Sequence, residues 1–239
     1  IHLTGMEKSM KNQYQNASNI SARIQLHNKY STNTQGWFPW IFDQCHMEEH
    51  STVLEIGCGD GSLWLENKEK IPKQLHVVLS DISEGMLRDT RRAIHANVKT
   101  SRFDFQVFDC ERIPYPDNSF DLIIANHILF YCKNLTSVFE EISRVLKTGG
   151  TFVCSTYGSA HMKEINELVS EFDDRIVLSA DRLFERFGKE NGADLLAPYF
   201  QNIRWLSYED SLHVTEPETL ISYVLSCHGN QNQYIIDHY

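Results

Sequence analysis

Val53-Leu54-Glu55-Ile56-Gly57-Cys58-Gly59-Asp60-Gly61-Ser62 is the stretch on which the fold turns. Its first four residues are apolar and strand-prone apart from Glu55, which suits a short buried strand. Glycines at the alternate positions 57, 59 and 61 follow, and they let the backbone turn sharply and pass close to a ligand. A helix is expected from about Ser62-Leu63-Trp64, offering unpaired N–H groups and the positive end of its dipole to that ligand. The spacing sets this loop apart from two common ones. A dinucleotide fingerprint, G-x-G-x-x-G, would need its third glycine at position 62, which is Ser. A phosphate-binding P-loop would need Gly-Lys-Ser/Thr, and that string is absent.

The whole chain sets bounds on what such a loop can serve. At 239 residues it is long enough for one domain with a proper core, and 41% hydrophobic and 23% charged content is ordinary for a globular protein. A formal net charge of −10 makes nucleic acid an unfavoured partner and argues against an anionic membrane surface. No apolar run approaches membrane-spanning length, and no signal-peptide pattern is visible. The cysteines at 45, 58, 110, 132, 154 and 227 are scattered without a Cys-x-x-Cys pair, so reduced thiols and a cytoplasmic location are expected. Ile1–Gly5, ahead of the first methionine at position 6, are expected to be a tag remnant, and the polar stretch up to residue 17 a flexible terminus. His46-Met47-Glu48-Glu49-His50 matches the H-x-x-E-H string of a zinc protease group. It falls where a helix must stop before the strand at Thr52, and a fourth ligand at normal spacing is missing, so no metal is expected.

Strand and helix alternate after the loop. Leu75 to Ser80 is expected as a second strand, and Ser83 caps a helix from Glu84 to about Ala96. Arg102 to Phe108 reads as a third strand and Phe120 to Ala125 as a fourth. Ser137 to Leu146 is expected as a helix stopped by Thr148-Gly149-Gly150, before a fifth strand from Thr151 to Ser155. This alternation implies a doubly wound α/β fold, with a parallel sheet and helices on both faces. Ligands in such folds bind beyond the C-terminal ends of the strands. Asp81 stands at such an end, twenty residues past Gly61, where a carboxylate can accept both hydrogen bonds of a ribose diol. Its loss should then weaken the ligand and leave the melting temperature of the ligand-free protein almost unchanged.

Five motifs in order carry a resemblance: Glu55-Ile56-Gly57-Cys58-Gly59-Asp60-Gly61, Leu79-Ser80-Asp81-Ile82-Ser83, Phe108-Asp109-Cys110, Ile113-Pro114-Tyr115-Pro116-Asp117-Asn118-Ser119-Phe120-Asp121, and Leu146-Lys147-Thr148-Gly149-Gly150. Over residues 50 to 157 the chain resembles the class I S-adenosylmethionine (SAM) methyltransferases. The fourth motif is closest to the branch with the ubiquinone and menaquinone C-methyltransferases. The resemblance implies a mostly parallel, seven-stranded, Rossmann-like sheet with an N-terminal helical lid over residues 18–50. It implies SAM as cofactor and S-adenosylhomocysteine (SAH) as product. The implied cofactor contacts are Glu55, Gly57, Cys58, Gly59 and Gly61 in the loop, Asp81 and Ile82 after strand two, and Asp109 and Cys110 after strand three. Asn126 after strand four joins them, with Tyr30 and Trp37 from the N-terminal aromatics; these aromatics could equally cover the sheet edge.

Past residue 157 the signal is weaker. His161 to Phe172 and Gly188 to Tyr199 read as helices, Gln201 to Val214 as two short strands, and Glu216 to Leu225 as a closing helix. Residues 18–239 are expected to form one methyltransferase domain, with 158–200 covering the substrate side. A sulfonium methyl is already activated, so positioning can supply roughly 7–11 kcal/mol of the barrier. His127, directly after Asn126, is the candidate catalytic residue, as base or as orienter of the acceptor. The expected partner is a small-molecule acceptor. The alternatives are methylation of RNA or another macromolecule, and a SAM-binding module without turnover. Asn126-His127-Ile128-Leu129 is not the Asp/Asn-Pro-Pro-aromatic string of amino-directed DNA enzymes, and no Pro-Cys nucleophile is present.

Overall fold

The structure is a computed structural model and describes residues 19, 21–179 and 181–239. The tag remnant and flexible terminus expected over residues 1–17 lie outside the described residues. In chain order the helices are α1 (21–30), α2 (Trp37–Cys45), α3 (Ser62–Leu65), α4 (Glu84–Asn97), α5 (Leu135–Val145), α6 (Lys163–Phe172), α7 (Leu183–Arg186), α8 (Gly192–Leu196), α9 (Pro217–Ser226) and α10 (Gln231–His238). The strands are β1 (Thr52–Ile56), β2 (His76–Asp81), β3 (Arg102–Val107), β4 (Phe120–Asn126) and β5 (Leu146–Ser155).

All pairings between these strands are parallel, in the order β3-β2-β1-β4-β5. The order changes direction between β1 and β4, and the crevice beyond that switch point is where such sheets bind ligands. The pleat divides the core. Val53, Leu122 and Ile124 face Trp64, Leu87 and Ile94 on one side. Leu54, Ile56, Ile123 and Ala125 face Phe139, Ile142 and Val145 on the other. Side-chain caps start both major crossover helices: Ser83 accepts from the Met86 N–H, and Asn134 from the Ser137 N–H.

Two expectations need correction. Seven strands were implied, and the sheet among the described residues has five. Residues 201–208 form no strand: Asn202 takes a left-handed φ of 56°, which interrupts an extended chain, and beyond it Leu212 makes only an isolated antiparallel bridge to Ser31. The second correction concerns Leu146–Gly150, expected as a helix end and a turn. These residues belong to β5, whose register with β4 shifts between Phe120 and Leu122. Gly149 at φ 79° lets the strand absorb that irregularity as a bulge.

The chain divides into two compact units. One comprises Gln35–Ser159 and Leu183–Tyr208 and contains the sheet with α2–α5, α7 and α8. The other comprises the described residues through Thr34, together with those of Ala160–Arg182 and Glu209–Tyr239. Its apolar cluster is built on Leu26, Tyr30, Ile165, Ile176 and Leu178. The lid segment proposed for 18–50 is therefore shared between units at Thr34. No helix among the described residues is long and apolar enough to cross a membrane.

Candidate active site

The glycine loop leaves β1 and is tied to β2 by the Cys58 N–H, which donates to the Ser80 carbonyl at 2.9 Å. Gly57, Gly59 and Gly61 all take left-handed φ, at 68°, 55° and 79°. Their surroundings differ. A Cβ on Gly57 would stand 2.5 Å from Ile128 Cγ2, so this glycine is required by packing. A Cβ on Gly59 would meet nothing within 4 Å, so there the bare backbone faces open space. Such a cradle fits a ligand that lies against the main chain. Thr90 Oγ1 holds it from behind, donating to the Gly59 carbonyl at 2.6 Å.

Asp81 stands at the mouth of the cradle. Its Oδ2 accepts from the Gly59 N–H at 3.2 Å and its Oδ1 from the Ser83 N–H at 2.9 Å. A carboxylate has about four lone-pair sites, so capacity remains for a ribose diol. Ile82 follows at 73% exposure, an apolar surface suited to one face of a flat ring. These contacts change the expected result for Asp81→Ala. The substitution should weaken SAH binding by about 1.5–3 kcal/mol, as for hydrogen bonds to a charged group. It should also lower the stability of the ligand-free protein by about 1 kcal/mol, because two backbone donors lose their acceptor. Calorimetry and urea unfolding measure the two effects; wild-type SAH affinity in the variant would remove Asp81 from the site.

Two sequence expectations are placed differently. α3 is a single turn and carries little dipole, and the Ser62 N–H is already bonded to Asp60 Oδ1 at 3.0 Å. Glu55 is only 2% exposed, with Trp64 Nε1 donating to its Oε1 at 3.1 Å. Burial pushes its carboxyl up to about 8; Asp60 and Asp81 add to the rise and the Trp64 hydrogen bond opposes it. The unfolded chain loses this proton near the ordinary value of 4.5, whereas the folded chain keeps it to about 8. Stability should therefore fall as pH rises through that window, and Glu55→Gln should flatten the fall. Urea unfolding at pH 5 and pH 8 checks it; equal slopes in both proteins would contradict it.

Asp109 closes the turn after β3, its Oδ1 accepting from the Glu111 N–H at 2.9 Å. Cys110 Sγ lies 3.4 Å from Cys132 Sγ. Asn126 ends β4, and its Oδ1 accepts from Ser155 Oγ, which itself accepts the His127 N–H at 3.0 Å. These bonds hold His127 at a left-handed φ of 52°, an uncommon backbone for a non-glycine residue. The imidazole stacks on Trp37, with ring centroids 4.9 Å apart and planes 6° from parallel. Tyr208 meets Trp37 edge-on at 5.4 Å. The Trp37 indole N–H is buried with no hydrogen-bond partner among the described residues, a donor that an acceptor molecule could satisfy. Tyr30 lies in the apolar cluster of the other unit.

Sequence reasoning missed Thr90, Ser155, Ile128 and Tyr208. Only Ile128 carried a local signal, as neighbour of His127; the rest are brought in by the fold. The H-x-x-E-H string is not on a helix, since α2 ends at Cys45 and His46 and His50 both take left-handed backbone. No group of three or more metal-ligating side chains occurs among the described residues.

The profile of the family described as "Methyltransferase domain" matches residues 54–154. A demethylmenaquinone methyltransferase from Symbiobacterium thermophilum is 31% identical over 118 residues, covering 49% of this chain and 47% of that one. A malonyl-[acyl-carrier protein] O-methyltransferase from Nitrosospira multiformis is 30% identical over 135 residues, covering 51% and 44%. The chain thus spans about half the length of the curated relatives it matches. The crystal structure of a SAM-dependent methyltransferase from Methanosarcina mazei superposes with a TM-score of 0.51 at 21% identity, covering 68% of this chain and 84% of that one, which supports the fold. Residues 54–154 thus resemble a methyltransferase domain, in a family that uses S-adenosylmethionine as its methyl donor.

Proposed function

We propose that this chain transfers a methyl group from SAM to a small-molecule acceptor. The observation that carries the reading is the open cradle at Gly59, faced by the Asp81 carboxylate at the switch point of a methyltransferase domain. SAM, when bound, supplies a methyl on a positively charged sulfur, open to in-line displacement. Gly59 gives the close backbone approach, Asp81 the acceptors for a ribose diol, and Ile82 an apolar surface for a flat ring. By the resemblance, Asp109 in the turn after β3 would meet the polar edge of such a ring.

The acceptor side is built around His127. Its imidazole can take a proton from the acceptor or hold the acceptor by a hydrogen bond. Trp37 fixes the plane of that ring by stacking, and Ser155 and Asn126 fix its backbone. The net charge of −10 supports a small acceptor over a nucleic-acid backbone. The two relatives' names specify different acceptors, so the acceptor must be found directly. Incubation with methyl-labelled SAM and a metabolite library tests the reading. Label in one or a few small molecules is expected; label confined to RNA or protein, or SAM binding with no transfer to any class, would overturn it.

A further inference from the structure

Cys110 and Cys132 come from different turns, one leaving β3 and one leaving the short helix Leu129–Tyr131, and their sulfurs stand 3.4 Å apart. Both residues are half-buried, whereas Cys45 and Cys58 are buried. We infer that Cys110 and Cys132 form a reversible dithiol modification site, taking a hydroperoxide as oxidant, whose disulfide state weakens the neighbouring cofactor site. The second half of this inference rests on the function proposed above; the first half does not.

The chemistry balances with hydrogen peroxide as the named oxidant. The Cys132 sulfur attacks one peroxide oxygen and the O–O bond breaks. The thiol proton and the departing hydroxide leave as water, and Cys132 becomes a sulfenic acid. The Cys110 sulfur then attacks that sulfur, gives up its proton, and a second water leaves as the S–S bond forms. Two thiols lose two electrons and the peroxide gains them. The contact between the two sulfurs sets this order: their hydrogen bond holds the Cys132 thiol below its ordinary range and pushes the Cys110 thiol up. Burial and the carboxylates of Asp109 and Glu111 work against that at Cys132 without reversing it.

Closure has a structural consequence. A disulfide needs its sulfurs at about 2.05 Å, so the two turns must approach by roughly 1.4 Å at the sulfurs. Cys110 directly follows Asp109, and the adjacent Glu111 also accepts the Asn134 N–H at 2.9 Å, which couples the two turns. The Cys132 turn includes Ile128, which packs against Gly57 of the glycine loop. Moving the turns therefore shifts Asp109 and the Ile128 contact with the glycine loop.

The test uses the intact chain. Reduced protein is treated with hydrogen peroxide, free thiols are blocked with N-ethylmaleimide, and peptides are mapped by mass spectrometry. A 110–132 disulfide that dithiothreitol reverses is expected. A disulfide between other cysteines, or sulfinic acid at Cys132 with no cross-link, overturns the site. Calorimetry with SAH then compares the two redox states, with about tenfold weaker binding expected in the oxidised protein, a usual size for coupled sites. By reciprocity SAH should raise the midpoint potential of the pair by about 30 mV. Cys132→Ser should bind SAH equally before and after peroxide. Equal affinity in both redox states of the wild type overturns the coupling and leaves the disulfide standing. No SAH binding in the reduced protein overturns the cofactor reading instead, and the coupling with it, while the peptide map still decides the disulfide.

Discussion

Gly59→Ala is expected to fold and to lose SAH affinity by about 10–100-fold, the equivalent of about 1–3 kcal/mol of steric conflict. Its new Cβ meets no protein atom within 4 Å, so folding bears only the left-handed backbone, about 1–2 kcal/mol. The methyl does enter the space that the cradle leaves for a ligand. Gly57→Ala should behave in the opposite way. Its Cβ would lie 2.5 Å from Cγ2 of Ile128. Being β-branched, that side chain has little freedom to turn aside. Overpacking and the left-handed backbone together should cost about 2–4 kcal/mol of stability, a large share of the 5–15 kcal/mol typical of a domain. Urea unfolding and SAH calorimetry on both variants separate the effects. Wild-type affinity in a folded Gly59→Ala protein would show that no ligand uses the cradle.

Replacing His127 should affect turnover more than any other single change. Because its backbone is left-handed, Asn is a better test than Ala: Asn tolerates that conformation and cannot accept the proton. With the acceptor from the library screen, His127→Asn should lower turnover by about 10²–10⁴-fold. SAH affinity should stay near wild type, and the acid limb of the rate profile should disappear. Near-normal turnover would leave positioning alone as the mechanism, with Trp37 and His127 acting as a wall.

How much of this could be read in the sequence depends on the range of the interaction. The β1 strand and its glycines are local features, and residues 53–61 signalled the strand and the turn without help from the rest of the chain. The two-faced core was also readable, since apolar runs such as Leu122-Ile123-Ile124-Ala125 suit strands buried on both sides. β5 was misread at Leu146–Gly150 because paired glycines signal a turn, and only the neighbouring strand makes them a bulge. The strands expected over 201–214 failed for a related reason. Apolar alternation cannot form a strand without a partner edge, and Asn202 turns the chain aside. The stack of Trp37 on His127 joins residues ninety positions apart, so no local pattern could announce it. Asp81 was read as an acceptor for a ligand alone, because its two backbone donors appear only when the loop and β2 are brought together.

Titration calorimetry of the reduced protein with SAM, SAH and NADH tests the central claim most directly. One equivalent of SAM or SAH should bind, with the affinity weakened in both Gly59→Ala and Asp81→Ala, and NADH should give no heat. Tight NADH binding with no response to SAM or SAH would contradict the account.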